Sequence, residues 1–413
     1  MKYTKGIMAA LPALLITLGG AFSSAHASGY AVFTHGASAL GQGNAVTAHT
    51  QSPSTVFYNP ALMNRLEGTQ LELGTTALIV SREFESNTPG NSISNDSSFF
   101  PSTFFVTHKF NDKLSAGLGV FNPFGLGTEW GEGWEGRYIA TKSELTTYNF
   151  NPAVSYQVTP AFAVAAGVDV VYLTATLQKK LPSAALGLPA GTDINQKFKG
   201  DGIGMGFNVG LAYDPAKDVT VGVSYRSPVT IEADGDATFS LAALNSHGKT
   251  KLTLPPQLTA AVAYTGINKV VLEAGLRWEG WSAFDKLQID LDNGTRSVTR
   301  RDWSDGWGFN LGGRYQYTDT IALLGGYVYG NAVAPDSTFD PSIPDAATHV
   351  FCLGTDLNFQ RFNVALSYAY QLYEDRTKNN AINGGLPAAL ASSANGTYET
   401  AAHLLAVSLG YRF

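Results

Sequence analysis

The chain has 413 residues, enough for one large barrel or two domains. Charged residues make up 15% of it, against roughly 25% in ordinary soluble proteins, and the mean hydropathy is −0.02. A formal net charge of −6 supplies no basic footprint, which argues against nucleic acid as a partner. Low charge without high hydropathy suits a wall that is apolar on one face and uncharged-polar on the other. The 44 glycines, 19 tyrosines and 23 phenylalanines fit such a wall.

Residues 1–27 read as an export signal. Lys2 and Lys5 form the positive end, "IMAALPALLITLGGAF" the apolar centre, and Ala25-His26-Ala27 the small-residue cleavage site. A transmembrane anchor is the rival reading, weakened by Pro12, Gly19 and Gly20. The mature chain is expected to start at Ser28, where 25 basic residues face 33 acidic ones once Lys2 and Lys5 are gone. Cys352 is the single cysteine, so no intramolecular disulfide can form. No later stretch offers the ~20 consecutive apolar residues of a spanning helix. A membrane-resident chain of this kind must therefore cross as a closed barrel.

Residues 28–69 are rich in Gly, Ala, Ser and Thr and show no strand alternation. Pro60 cannot continue a sheet and biases Asn59 away from the helical region. Asn59 can then cap a short helix whose first residue is Pro60, and Gly68 is placed to end it. Such a compact piece at the periplasmic end is either a leader without a role or a plug in the lumen. A wide barrel left unplugged would leak.

From about residue 70 onward, apolar residues fall on alternate positions. In "GIGMGFNVGLAYD", Ile203, Met205, Phe207, Val209, Leu211 and Tyr213 share one face, and glycines crowd the other. Period two over about ten residues is a one-sided strand long enough to cross a tilted bilayer. A soluble sandwich would alternate too, but over shorter strands with more charge on the polar face. Strands are expected to start near 70, 100, 113, 143, 161, 202, 218, 250, 269, 305, 320, 347, 361 and 398. Tight links ("ND" at 111, "TP" at 159, "DPAKD" at 214, "GIN" at 266, "TD" at 318, "QR" at 360) alternate with long Gly/Ser/Asn-rich ones. That asymmetry marks outer-membrane barrels. The predicted fold is all-β, a transmembrane antiparallel barrel of about 14 strands over 70–413 with a plug segment over 28–69.

The third strand runs from Leu114 and meets Asn122, Pro123, Gly125 and Gly127. Proline cannot donate to a ladder and glycine marks a bend, so the strand has either kinked or ended. Further on, "KKLPSAALGLPAGTDINQKFKG" at 179–201 reads as a long loop with an apolar centre, which suggests that it covers or binds something. Asp169, Glu273, Arg277, Glu279 and Arg314 fall on the lumen phase and are expected to form a paired wall network. The closing "LLAVSLGYRF" ends in Phe413, either an interface aromatic or the signal read by barrel-assembly machinery, or both. Catalytic constellations are missing from the sequence: the mature histidines lack metal spacing and there is no G-x-S-x-G, so neither an enzyme nor a cofactor is expected.

"GASALGQGNAV", "YNPALM", "NPFGLGTEW", "GRYIATKSEL", "VSYRSPV", "WSAFDKL", "SIPDAATH" and the closing "YRF" occur in one order. On these motifs the chain resembles the FadL family of outer-membrane long-chain fatty acid transporters. The resemblance implies that Asn59, Pro60 and Ala61 belong to a hatch. It implies an inward kink of the third strand over Asn122, Pro123, Phe124, Gly125, Leu126 and Gly127, opening the wall sideways. It implies a capture groove in the outer loops, for which Leu181, Leu186 and Leu188 are the candidates. Arg137, Lys179 and Lys180 are candidates to meet a carboxylate, or solvated rim charges. The expected activity is passive transport of long-chain fatty acids: loop capture, an internal pocket, hatch rearrangement, then lateral exit into outer-membrane lipid. The alternatives are monoaromatic or other hydrocarbon cargo on the same fold, a general porin, or an outer-membrane lipase.

Overall fold

The computed structural model describes residues 29–189 and 191–413, so the expected export signal at 1–27 lies outside the described residues. Twenty-one strand segments among the described residues join one sheet. In chain order they begin with β1 (Thr69–Ser86), β2 (Ser92–Phe99), β3 (Ser102–Lys109), β4 (Leu114–Phe121), β5 (Gly125–Glu129), β6 (Lys142–Thr159) and β7 (Phe162–Pro182). Next come β8 (Asp193–Ala216), β9 (Val219–Arg226), β10 (Val229–Phe239), β11 (Ser246–Leu254), β12 (Gln257–Ile267), β13 (Val270–Glu279) and β14 (Lys286–Leu291). The remainder are β15 (Arg296–Arg300), β16 (Gly306–Gln316), β17 (Ile321–Gly330), β18 (Thr348–Phe359), β19 (Phe362–Tyr373), β20 (Arg376–Lys378) and β21 (Gly396–Arg412). All pair antiparallel and group into fourteen staves, because several staves are interrupted. β1 closes the ring on β21, from Gln70↔Arg412 to Ser86↔Gly396, so the first and last strands leave no open edge.

The alternation read from the sequence sets which face meets lipid. β8 turns Ile203, Met205 and Phe207 outward, 53–71% exposed, while Asn208 and Ala212 point inward and are buried. The six tight links all form hairpins, and the membrane-crossing strands begin within a few residues of their predicted starts. The outer links differ. β3 at Ser102 and β16 at Gly306 meet the starts expected near 100 and 305, but the unexpected segments β2 (from Ser92) and β15 (from Arg296) precede them, and β8 starts at Asp193 rather than near 202. The stretch 179–201 is thus mostly strand: β7 runs to Pro182, and only a turn of 3-10 helix (Ser183–Leu186) and a few residues separate it from β8. Beyond the bilayer both faces of a strand can be polar, so "SISNDSSF" and "DINQKFKGD" carry no apolar period to read.

Inside the wall, Asp169 pairs with Arg226, Arg314 with Asp356, and Arg277 with Glu279 at 3.5 Å. Glu273 departs from the expected wall network. Its carboxylate turns to the N-terminal segment, accepting from the amides of Thr47 (2.6 Å), Ala48 (2.9 Å) and His49 (3.0 Å). That segment holds α1 (Ala37–Gly41), α2 (Thr55–Tyr58) and a 3-10 helix (Pro60–Arg65). Asn59 caps the last as expected, its side-chain oxygen accepting from the Ala61 amide at 3.1 Å. The helix is 3-10 rather than α, and Gly68 follows beyond it at φ +66, in the turn into β1.

The segment lies against inward faces all round the ring. Asn64 donates to Ser155 of β6, Asn59 to the carbonyl of Leu211 in β8, and Ser38 to Asp356 of β18. The Gln42 backbone passes so close to Gly312 and Gly326 that an added Cβ would meet it at 1.9 and 2.2 Å. Glycine is required there because nothing else lets two backbones approach so closely. Replacing Gly312 with Val should push the segment off β16 and leave the ring closed. Limited proteolysis of the folded barrel is then expected to cut within 29–68 in the variant while sparing the wild type.

Candidate functional site: a wall gap and the cavity behind it

β4 pairs with β3 only as far as Phe104↔Val120. Beyond Phe121 the chain bends, and β5 ladders with β6 (Gly125↔Thr146 to Glu129↔Lys142) but has no ladder to β2. Both staves carry a proline at the break, Pro101 and Pro123, and proline offers no N–H for a cross-strand bond. The bend is pinned by side chains. Asn122 donates to the Thr147 carbonyl (2.6 Å), and the Thr147 hydroxyl accepts from the Phe124 amide (3.0 Å) and donates to its carbonyl (2.6 Å).

Two main-chain groups at the bend are taken up by the N-terminal segment. The Val32 amide donates to the Pro123 carbonyl at 2.9 Å and the Gly125 amide to the Tyr30 carbonyl at 2.9 Å. His35 Nε2 lies 3.2 Å from the Asn122 carbonyl, with its ring stacked on Phe57 at 3.8 Å. Another interrupted stave, between β9 and β10 at Ser227–Pro228, is packed shut. A Cβ on Gly202 would lie 2.2 Å from the Glu232 carbonyl oxygen, so the glycines of "GDGIGMGFNVG" let β10 close onto β8.

Behind the gap lies a cavity of about 560 Å³. Tyr30, Phe33, Leu40, Leu78, Val80, Phe124, Leu145 and Val350 give it an apolar lining. It reaches Phe99, Phe100, Leu126 and Tyr148 at the wall, and Phe100 is 67% exposed on the far side. Tyr30 is wedged among Phe124, Trp281, Phe284 and Trp303, with ring centroids 4.6–6.1 Å apart. On the outer side, the segment 331–347 folds over this cluster. The Asp345 carboxylate accepts from the amides of Gly29 (2.8 Å), Val333 (2.6 Å) and Ala334 (2.8 Å). Burial holds that carboxyl above its usual range, against the pull of the three donors.

The sequence-derived residues fall in several places. Asn122, Phe124, Gly125, Leu126 and Gly127 line the cavity, and Pro123 makes the bend. Asn59, Pro60 and Ala61 are buried against β8. Leu181 sits in β7, and Leu186 and Leu188 are exposed beyond it; the cavity lining includes none of the three. An outer cleft of about 500 Å³ is lined by Lys179, Leu177, Ile139, Leu287, Arg301 and Asp340, among others. Arg137 is bound to Asp193 (2.7 Å) and Lys180 to Glu132 (3.2 Å), and neither lines this cleft. Phe413 is 69% exposed next to Tyr411. Arg82, inside the main cavity, was not singled out from the sequence. Its place was readable, because it continues the inward phase of Leu78 and Val80 in "ALIVSREF".

A closed antiparallel barrel with an apolar outer belt, an occupied lumen and a cavity behind a wall gap defines an outer-membrane channel protein. The chain belongs to the family described as outer membrane protein transport protein (OMPP1/FadL/TodX), which matches residues 20–413. It is 28% identical to the 47 kDa outer membrane protein of Pasteurella multocida, over 100% of this chain and 99% of that one. It is 23% identical to the long-chain fatty acid transport protein of Escherichia coli K12, over 89% and 92%. The fold is that of a Pseudomonas aeruginosa FadL homologue (TM-score 0.85, 19% identity, 94% of this chain and 100% of that one). It also matches the P. putida toluene transporter TodX (TM-score 0.72, 18% identity, 92% and 99%).

Burial pushes the His35 imidazole down to about 3, with Arg226 adding to the effect. A docked segment therefore keeps His35 neutral, whereas a released one protonates it near 6.5. Docking at the kink is fully favoured above that pH and weakens as the pH falls toward 3, by up to ~1.4 kcal/mol per unit. Protection factors of residues 29–40, with the intrinsic pH dependence of amide exchange divided out, are expected to fall between pH 7 and 5, and His35→Gln to flatten that dependence. An equal slope in the variant would contradict this assignment.

Proposed function

We propose that the protein is a passive channel that takes up long-chain fatty acids and releases them sideways, between β2 and β5, into the outer leaflet. The observation that carries this reading is the apolar cavity ending where two adjacent wall strands are unpaired. Each buried methylene is worth about 0.8 kcal/mol, so a long acyl chain favours protein or lipid over water by roughly 10 kcal/mol or more. A water-filled pore would give that up, whereas an outer cleft, an inner cavity and a lateral exit offer a sequence of comparable environments. In this scheme the outer cleft at Lys179 captures the ligand, with Arg137, Lys180, Leu181, Leu186 and Leu188 around its approaches. The segment 28–69 acts as the hatch, with Asn59, Pro60 and Ala61 as its anchor on β8. No energy input is needed beyond a downhill gradient. Phe413 serves the barrel-assembly machinery.

A second reading keeps the path and changes the cargo to monoaromatic hydrocarbons, as the name of the P. putida neighbour records for that protein. The aromatic lining from Tyr30, Phe33, Phe99 and Phe124 favours it. Both readings share the lateral exit. Deleting residues 122–124, so that β4 runs straight into β5, should leave a heat-stable folded barrel and abolish uptake of radiolabelled fatty acid by cells. Normal uptake through a well-folded deletion variant would end the lateral-exit scheme.

A further inference from the structure

Four charged groups line the main cavity, and three of them are occupied. Glu144 lies 3.3 Å from Lys142. Asp345 takes three backbone amides. Arg277 lies 3.5 Å from Glu279 and covers the Phe33 ring at 3.6 Å. Arg82 is the fourth. Its Nε is closed off from solvent and has no hydrogen-bond partner, and no carboxylate pairs with its guanidinium among the described residues.

A guanidinium enclosed without a counter-charge is costly, and its planar fork of donors matches a carboxylate. We propose that Arg82 is the anchor for the carboxylate of an acidic amphiphile in this cavity, and that it selects long-chain carboxylates over hydrocarbons. The proposal rests on the transport reading above and names its ligand class. The cavity's shape supports it. Along the inward face of β1, Leu78 lies four residues from Arg82, ~13 Å in strand geometry, and Leu78 pairs with Phe99 at the gap. A ligand whose head meets Arg82 therefore lays its tail along Leu78 and Val80 toward the opening. A toluene molecule fills part of this space and leaves the guanidinium unmatched.

Calorimetry on the detergent-purified full-length barrel tests this with palmitate, methyl palmitate and toluene. Wild-type protein should bind palmitate at least tenfold more tightly than its ester. Arg82→Gln should weaken palmitate ten- to a hundredfold, the range expected for a charge-assisted hydrogen bond, and leave the ester unchanged. Arg82→Lys, which keeps the charge without the fork, should fall between. A pH series on the wild type needs no variant: palmitate affinity should drop as its carboxyl protonates, and ester affinity should not. Equal affinity of wild type for acid and ester, or equal weakening of both by Arg82→Gln, would overturn the anchor while the hydrophobic channel stands. Binding of none of the three ligands would overturn both.

Discussion

Main-chain amides inside hydrocarbon must find partners within the protein, because lipid offers none. The barrel meets this by closing β1 onto β21, and the requirement becomes acute where the wall opens. At the bend between β4 and β5, the carbonyl of Pro123 and the amide of Gly125 have lost β2, and they are satisfied by Val32 and Tyr30. The N-terminal segment and the wall gap are therefore one hydrogen-bonded unit. A piece of chain from inside the ring satisfies main-chain groups at the bend, while β2 and β5 beyond it share no ladder.

The same economy governs the charges. Three buried acids on the inner wall meet arginines or successive backbone amides: Asp169 with Arg226, Asp356 with Arg314, Glu273 with the amides of residues 47–49. A carboxylate accepting several amides holds a chain segment strongly while adding no second charge. Of the charged groups lining the main cavity, Arg82 is the one that neither an ion pair nor a hydrogen bond holds among the described residues.

Much of this was legible because physics writes it with a short period. The strands between the two membrane interfaces alternate, so Ile203, Met205 and Phe207 announce their face, and the hairpins at 111, 159 and 360 follow. The Asn59–Pro60 cap is a local rule and is seen as such. The outer extensions of β2, β8 and β15 were not legible, since strands wet on both faces carry no apolar pattern. Nor was the pairing of Glu273 with residues 47–49, more than two hundred positions away, for which sequence holds no spacing rule. Arg82 shows a third situation. Its inward phase was written in the strand, but its lack of a partner is a property of the assembled cavity.

The most direct test of the account is to close the wall gap reversibly. Asn95 of β2 and Glu129 of β5 face each other across it, the Asn95 amide donating to the Glu129 carbonyl. Cysteines at these two positions can be joined by a short, reducible thiol cross-linker, and the single native thiol, Cys352, is buried and leaves the background clean. Fatty acid uptake should stop on cross-linking and return on reduction. Uptake that continues at full rate through a cross-linked barrel would show that the ligand leaves by another route.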